Sequence, residues 1–237
     1  MLIELLNGIR NHNVDFQSVM IHLAVILMMI FLILPVHEFA HAGVAYLLGD
    51  KNIAKRGRLS LNPLVHVDVM GSLCMLLFGF GWAKPVPVNP YHFKKPKLYM
   101  GICALAGPVS NILCGMIGGG VLLLLYKTNL TFLFSTQAGY IVLVFLFYFV
   151  LINTTLAVFN LIPIPPLDGS KVLFVFLPDN IVNTIYKYQQ ITTIIIFALL
   201  YMGVLDPLIN GGSEFLSDLC LFYDSDLVFL KDYLFGF

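Results

Sequence analysis

From Val19 to Leu34 the sequence carries no Asp, Glu, Lys or Arg, and the apolar pattern runs on to about Leu48. A run of this length either crosses a bilayer or is buried on every side. As a helix, residues 18–48 would measure roughly 46 Å, against a hydrocarbon core of about 30 Å, so the last turns must tilt or emerge. Composition removes the soluble alternative. The chain of 237 residues is 59% hydrophobic and 11% charged, with a mean hydropathy of +0.90, whereas soluble domains carry about 25% charged residues. Thirteen basic and thirteen acidic residues cancel, so no global field favours nucleic acid. Cys74, Cys103, Cys114 and Cys220 show no paired spacing and read as buried apolar residues.

Hydropathy predicts an all-α polytopic membrane protein of about four transmembrane helices, at 18–48, 98–126, 139–159 and 187–206. Residues 1–17 mix apolar and charged side chains and read as an interfacial segment before an uncleaved first span. Eight of the thirteen basic residues fall in 49–97, which makes this loop cytoplasmic and both termini external. Within it, Met70 to Phe80 is apolar but too short to cross, and reads as a re-entrant or interfacial segment. Gly81 to Asn89 (GWAKPVPVN) favours extended backbone, either a plain surface loop or an edge able to pair with an unwound strand. The small residues of the second span, from Gly101 to Gly120, permit close helix packing. The acidic tail from Asp206 suits an external interfacial helix. With no long linker and no repeat, 1–237 reads as a single domain.

Where the first run ends, ionisable residues appear: Pro35 to Leu48 reads PVHEFAHAGVAYLL. His37 and His41 are four apart and share a helix face, with Glu38 beside them, the pattern His-Glu-x-x-His. Two imidazoles suit zinc, and a neighbouring carboxylate can take a proton from water at an open coordination position. Intramembrane ionisable groups are functional by default. Pro35 would kink the helix or leave the Phe31 carbonyl without its usual donor.

The third span stops at Asn160 to Lys171, NLIPIPPLDGSK, because Pro163, Pro165 and Pro166 cannot continue a helix. Irregular backbone at membrane depth is tolerated where it is packed in protein or lines a wet cavity. The segment presents Asp168, either as a ligand or as the capping aspartate of an ordinary exit loop, with Gly169 allowing a tight turn. Spans one and three run in the same direction, so this segment and the first motif reach the same membrane face. His66 and Asp68 are further ligand candidates in the basic loop.

HEFAH and NLIPIPPLDG together resemble the two motifs of the site-2 protease family of zinc-dependent intramembrane metalloproteases. GRLSLNPLVHVD from Gly57, GFGWAKPVPVNP from Gly79 and ALAGPVSN from Ala104 resemble its short bacterial members. The resemblance implies that His37, His41 and Asp168 ligate one zinc ion, that Glu38 is the general base, and that Asn160 positions substrate or the developing oxyanion. It implies hydrolysis of a transmembrane or membrane-associated polypeptide near the cytoplasmic face of a bacterial plasma membrane. The alternative is a non-proteolytic membrane protein that binds clients around a structural metal. Complete retention of Glu38 with three ligands argues against it, since a structural site would close with a fourth.

Overall fold

The computed structural model describes residues 16–78, 81–128 and 130–235, and the interfacial segment expected at 1–17 lies almost wholly outside them. Every regular element among the described residues is helical. The chain divides into two compact units, 1–93 and 94–237.

In the first unit, α1 (Phe16–Met28) and α2 (Leu34–Leu48) are joined without a break by a π-helical segment, Met29–Ile33. Pro35, in the first turn of α2, has no N–H to give Phe31, and its ring crowds that carbonyl. The helix answers by widening: the Leu34 N–H reaches back five residues to the Met29 carbonyl. The kink or orphaned carbonyl expected at Pro35 is thus absorbed upstream as a π segment, a common device beside functional sites. α2 ends at Gly49, whose φ of +129° favours glycine. Two short helices follow, α3 (Asn52–Lys55) and α4 (Pro63–His66), then α5 (Val69–Phe78). At ten residues, α5 is about 15 Å long and too short to cross a bilayer. It packs against α1 and leaves Val69, Met70 and Leu73 exposed. Gly81–Asn89 is non-helical and returns onto α5, where a β-carbon on Gly71 would stand 2.0 Å from the Trp82 carbonyl oxygen.

The second unit is built on α6 (Pro96–Thr128) and α8 (Gln137–Leu161), linked through α7 (Leu130–Ser135) and packed along each other. Then come α9 (Asp168–Phe174), α10 (Asp179–Lys187), α11 (Gln189–Tyr201), α12 (Asp206–Cys220) and α13 (Ser225–Phe235). Three helical stretches among the described residues are long and apolar enough to cross a membrane: Val19–Leu48, Pro96–Thr128 and Gln137–Leu161. The fourth span expected at 187–206 is not one straight helix. α11 has thirteen residues, about 20 Å, and qualifies only with α12, to which it is bent by 78°. α12, in the acidic tail, packs against both α8 and α6. The small residues expected to admit close packing do so here. A β-carbon on Gly119 would stand 2.0 Å from the Cys220 carbonyl oxygen. α13 is tied back by Lys231, whose side chain is 1% exposed and whose ammonium donates to Asp218 at 2.5 Å.

Candidate metal centre

α2 brings His37, Glu38 and His41 together on the buried part of the first unit, at 4%, 9% and 8% exposure. One helical turn separates the two imidazoles, and their Nε2 atoms lie 3.0 Å apart with the rings edge to face. Two nitrogens bound to one tetrahedral zinc at about 2.1 Å would be roughly 3.4 Å apart. The pair therefore already has nearly the spacing that a shared ion requires. Glu38 is held separately, its Oε2 accepting the Val86 N–H at 3.0 Å.

That N–H comes from Lys84–Asn89, in the loop whose role the sequence left open. Pro85 and Pro87 have no N–H, so Val86 is the one donor among the three. The buried guanidinium of Arg58 donates to the carbonyls of Val65, Lys84 (2.5 Å) and Pro85 (2.7 Å). At the other end, buried Asp50 accepts the Asn89 N–H at 2.8 Å and bonds His92 Nδ1 at 2.6 Å. In the sequence Arg58 stands only as one of the basic residues of the loop, and Asp50 belongs to no motif. The signal available was a charged residue inside the matched GRLSLNP stretch.

In the second unit, the proline-rich segment leaves α8 and turns into α9. Ile162 and Leu167 are buried in a cluster with Ile196 and Ile209, with Phe159, Ile164, Leu200 and Leu205 packed around them. Anchored this way, the irregular backbone is packed in protein, as membrane depth demands. Asp168 is the first residue of α9, and the cap position belongs to Leu167, which makes no side-chain cap bond. The capping role is therefore not the one Asp168 plays. Its carboxylate is 7% exposed and accepts from Lys171 at 2.9 Å. Gly169 is helical, not the tight turn expected of it. What it supplies is room, since a β-carbon there would stand 2.2 Å from the Leu161 carbonyl oxygen. Asn160 is half-buried, with its amide donating to the Leu156 carbonyl of its own helix at 3.0 Å.

Among the described residues, His37, His41 and Asp168 are a group able to hold a metal ion, one ligand atom of each lying within 4.8 Å of the others and all three buried. Two imidazoles and a carboxylate are a donor set of the catalytic-zinc kind, which uses three protein ligands and keeps a fourth position for water or substrate. His66 and Asp68 are not in the group. His66 is buried with its Nε2 on the Ser60 carbonyl at 2.7 Å, and Asp68 accepts the Gly71 N–H at 2.8 Å in the first turn of α5.

Comparison with known proteins bears on this arrangement. The profile of peptidase family M50 matches residues 128–203, which contain Asn160 and Asp168. YwhC of Bacillus subtilis, provisionally named a zinc metalloprotease, is 37% identical over 83% of this chain and 90% of its own length. Two proteins called Rip2, provisionally named likewise, are each 33% identical. The one from Mycolicibacterium smegmatis matches over 59% of this chain and 52% of its own length. The one from Mycobacterium tuberculosis H37Rv matches over 75% and 65%. No solved structure matches the chain. A likeness to YwhC over nine tenths of that protein's length, with the family profile across the second motif, decides the matter: this chain belongs to peptidase family M50, the site-2 protease family, and is a zinc metalloendopeptidase integral to a membrane.

Proposed function

We propose that the whole chain works as one intramembrane protease domain that cuts a transmembrane or membrane-associated polypeptide near the cytoplasmic face of a bacterial plasma membrane, with both termini outside. His37, His41 and Asp168 hold the zinc ion. The observation that carries the reading is their convergence as three buried donors, with Glu38 on the same helical turn as His37. The concentration of basic residues in 49–97 supports a cytoplasmic site.

Bound there, zinc supplies Lewis acidity toward an attacking water and the scissile carbonyl. Glu38 accepts the proton of that water on its carboxylate as the new C–O bond forms. It then delivers the proton to the amine as the C–N bond breaks, leaving a carboxylic acid and a free amine. Asn160 gives one N–H to Leu156 and offers the other to a substrate carbonyl, where it steadies developing negative charge. The prolines that end α8 keep the backbone irregular where an extended substrate must lie beside it.

The test is Glu38→Gln against wild type, purified in detergent, with zinc content and cleavage of a reporter bearing one transmembrane segment both measured. About one zinc in each protein, with cleavage by wild type alone, is the expected result. Zinc in both with cleavage by neither would replace this reading with the client-binding one, and full cleavage by the variant would remove Glu38 from the mechanism.

A further inference from the structure

We propose that Arg58 is a positioning residue for Glu38, acting through the strap Lys84–Asn89. The inference rests on the reading of Glu38 as the general base and concerns how that carboxylate is aimed. Arg58 is 6% exposed, deep for a charge whose contacts here are main-chain carbonyls. Burying a guanidinium is costly unless its N–H groups are satisfied; three carbonyls from two separate stretches, Val65 and Lys84–Pro85, accept from its two terminal nitrogens, while its Nε has no partner among the described residues. Arginine's planar fork fixes the direction of both stretches at once, which a lysine ammonium does not do. The Lys84 N–H adds a bond to the His66 carbonyl at 2.7 Å.

The residue after the clamped Lys84–Pro85 pair is Val86. With prolines on either side, it has the only N–H between Lys84 and Val88, and that N–H goes to Glu38 Oε2. Asp50 secures the far end through Asn89 and His92. The strap is thus fixed at both ends and presents one donor in its middle to the carboxylate. A general base with one oxygen tethered keeps its other oxygen in a set direction, and second-sphere contacts of this kind are worth about 10- to 100-fold in activity.

The full-length protein in detergent tests this in two arms. Site-resolved amide exchange needs no substrate: the Val86 amide should lose protection in Arg58→Gln, as it should in Glu38→Ala. In the second arm, Val86→Pro removes the N–H but keeps an extended backbone, while Val86→Ala keeps the N–H. With the transmembrane reporter, Val86→Pro should retain zinc and KM and lose about 10- to 100-fold in kcat, with Val86→Ala well above it. Arg58→Lys should not restore the wild-type rate.

Unchanged Val86 protection in a folded Arg58→Gln protein overturns the proposal. So does a Val86→Pro enzyme with wild-type kcat, or with a raised one, which would mark the strap as a plug. If Arg58→Gln does not fold, the Val86 pair decides alone. Failure of wild type to cut the reporter strikes the proposed function instead, and the exchange arm still decides whether Arg58 controls the contact with Glu38.

Discussion

Gly169 lies against Leu161 so closely that a β-carbon would come within 2.2 Å of its carbonyl oxygen and 2.5 Å of its carbonyl carbon. Both neighbours are backbone, at the point where α8 ends, and cannot swing aside as a flexible side chain would. Gly169→Ala must push α9 off α8, and with it Asp168, the adjacent residue. Overpacking of this kind costs about 1–3 kcal/mol. We expect a folded protein with reduced thermal stability and weakened zinc retention, read by a melting curve and by metal content after dialysis. Wild-type zinc affinity in this variant would show that α9 can shift without disturbing the carboxylate.

The three buried donors come from motifs far apart in sequence. Purified wild type should hold about one zinc per chain, and His37→Ala and Asp168→Ala should each lose it, as measured by metal analysis. If Asp168→Ala keeps its zinc undiminished, the third ligand is another residue.

Lys127, near the end of α6, pairs with Asp224 between α12 and α13 at 3.0 Å. That bond to Lys127, aided by the Leu227 N–H, holds the Asp224 carboxyl below its ordinary value, against an opposing pull from burial. A carboxyl lowered by folding adds stability that is fully present above its unfolded pKa, about 3.9, and is lost as pH falls through the folded value. The Lys127 side chain is 61% exposed, so the contribution is small and weakened by salt. Limited proteolysis between pH 7 and 3 should find α13 more readily released at the acid end, and Asp224→Asn should lessen that pH dependence, with Lys231 and Asp218 still paired.

Much of the local arrangement could be read from letters because it rests on periodicity. Helical spacing puts His37 and His41 on one face, and their Nε2 atoms stand 3.0 Å apart. The glycines of α6 announce close packing, and Gly119 meets the backbone of Cys220. What letters hide is anything bonded to main chain. Arg58 stands in the sequence as one of eight basic residues of the loop, because its partners are carbonyls, which every residue has and none advertises. Asp50 was missed for the same reason on one side, its partner being the Asn89 N–H. Gly169 was read for its freedom of φ when steric room was what mattered, and only the folded path of α8 and α9 shows that Leu161 is its neighbour. The acids of the tail do not name its packing partners, because the clearance beside Gly119 that admits α12 is encoded a hundred residues upstream.

The π segment at Met29–Ile33 makes α1 and α2 two independently phased halves of one rod. It accommodates an extra residue without breaking the rod, and one residue of an α-helix corresponds to about 100° of rotation. The upstream half can therefore be tuned for its lipid and protein neighbours while the downstream half keeps His37 and His41 turned inward. A single-residue deletion within those five positions would leave the hydropathy of the span almost untouched, yet swing the motif about a quarter-turn out of register. A hydropathy plot would register no change in such a protein, while its two imidazoles would face the wrong way.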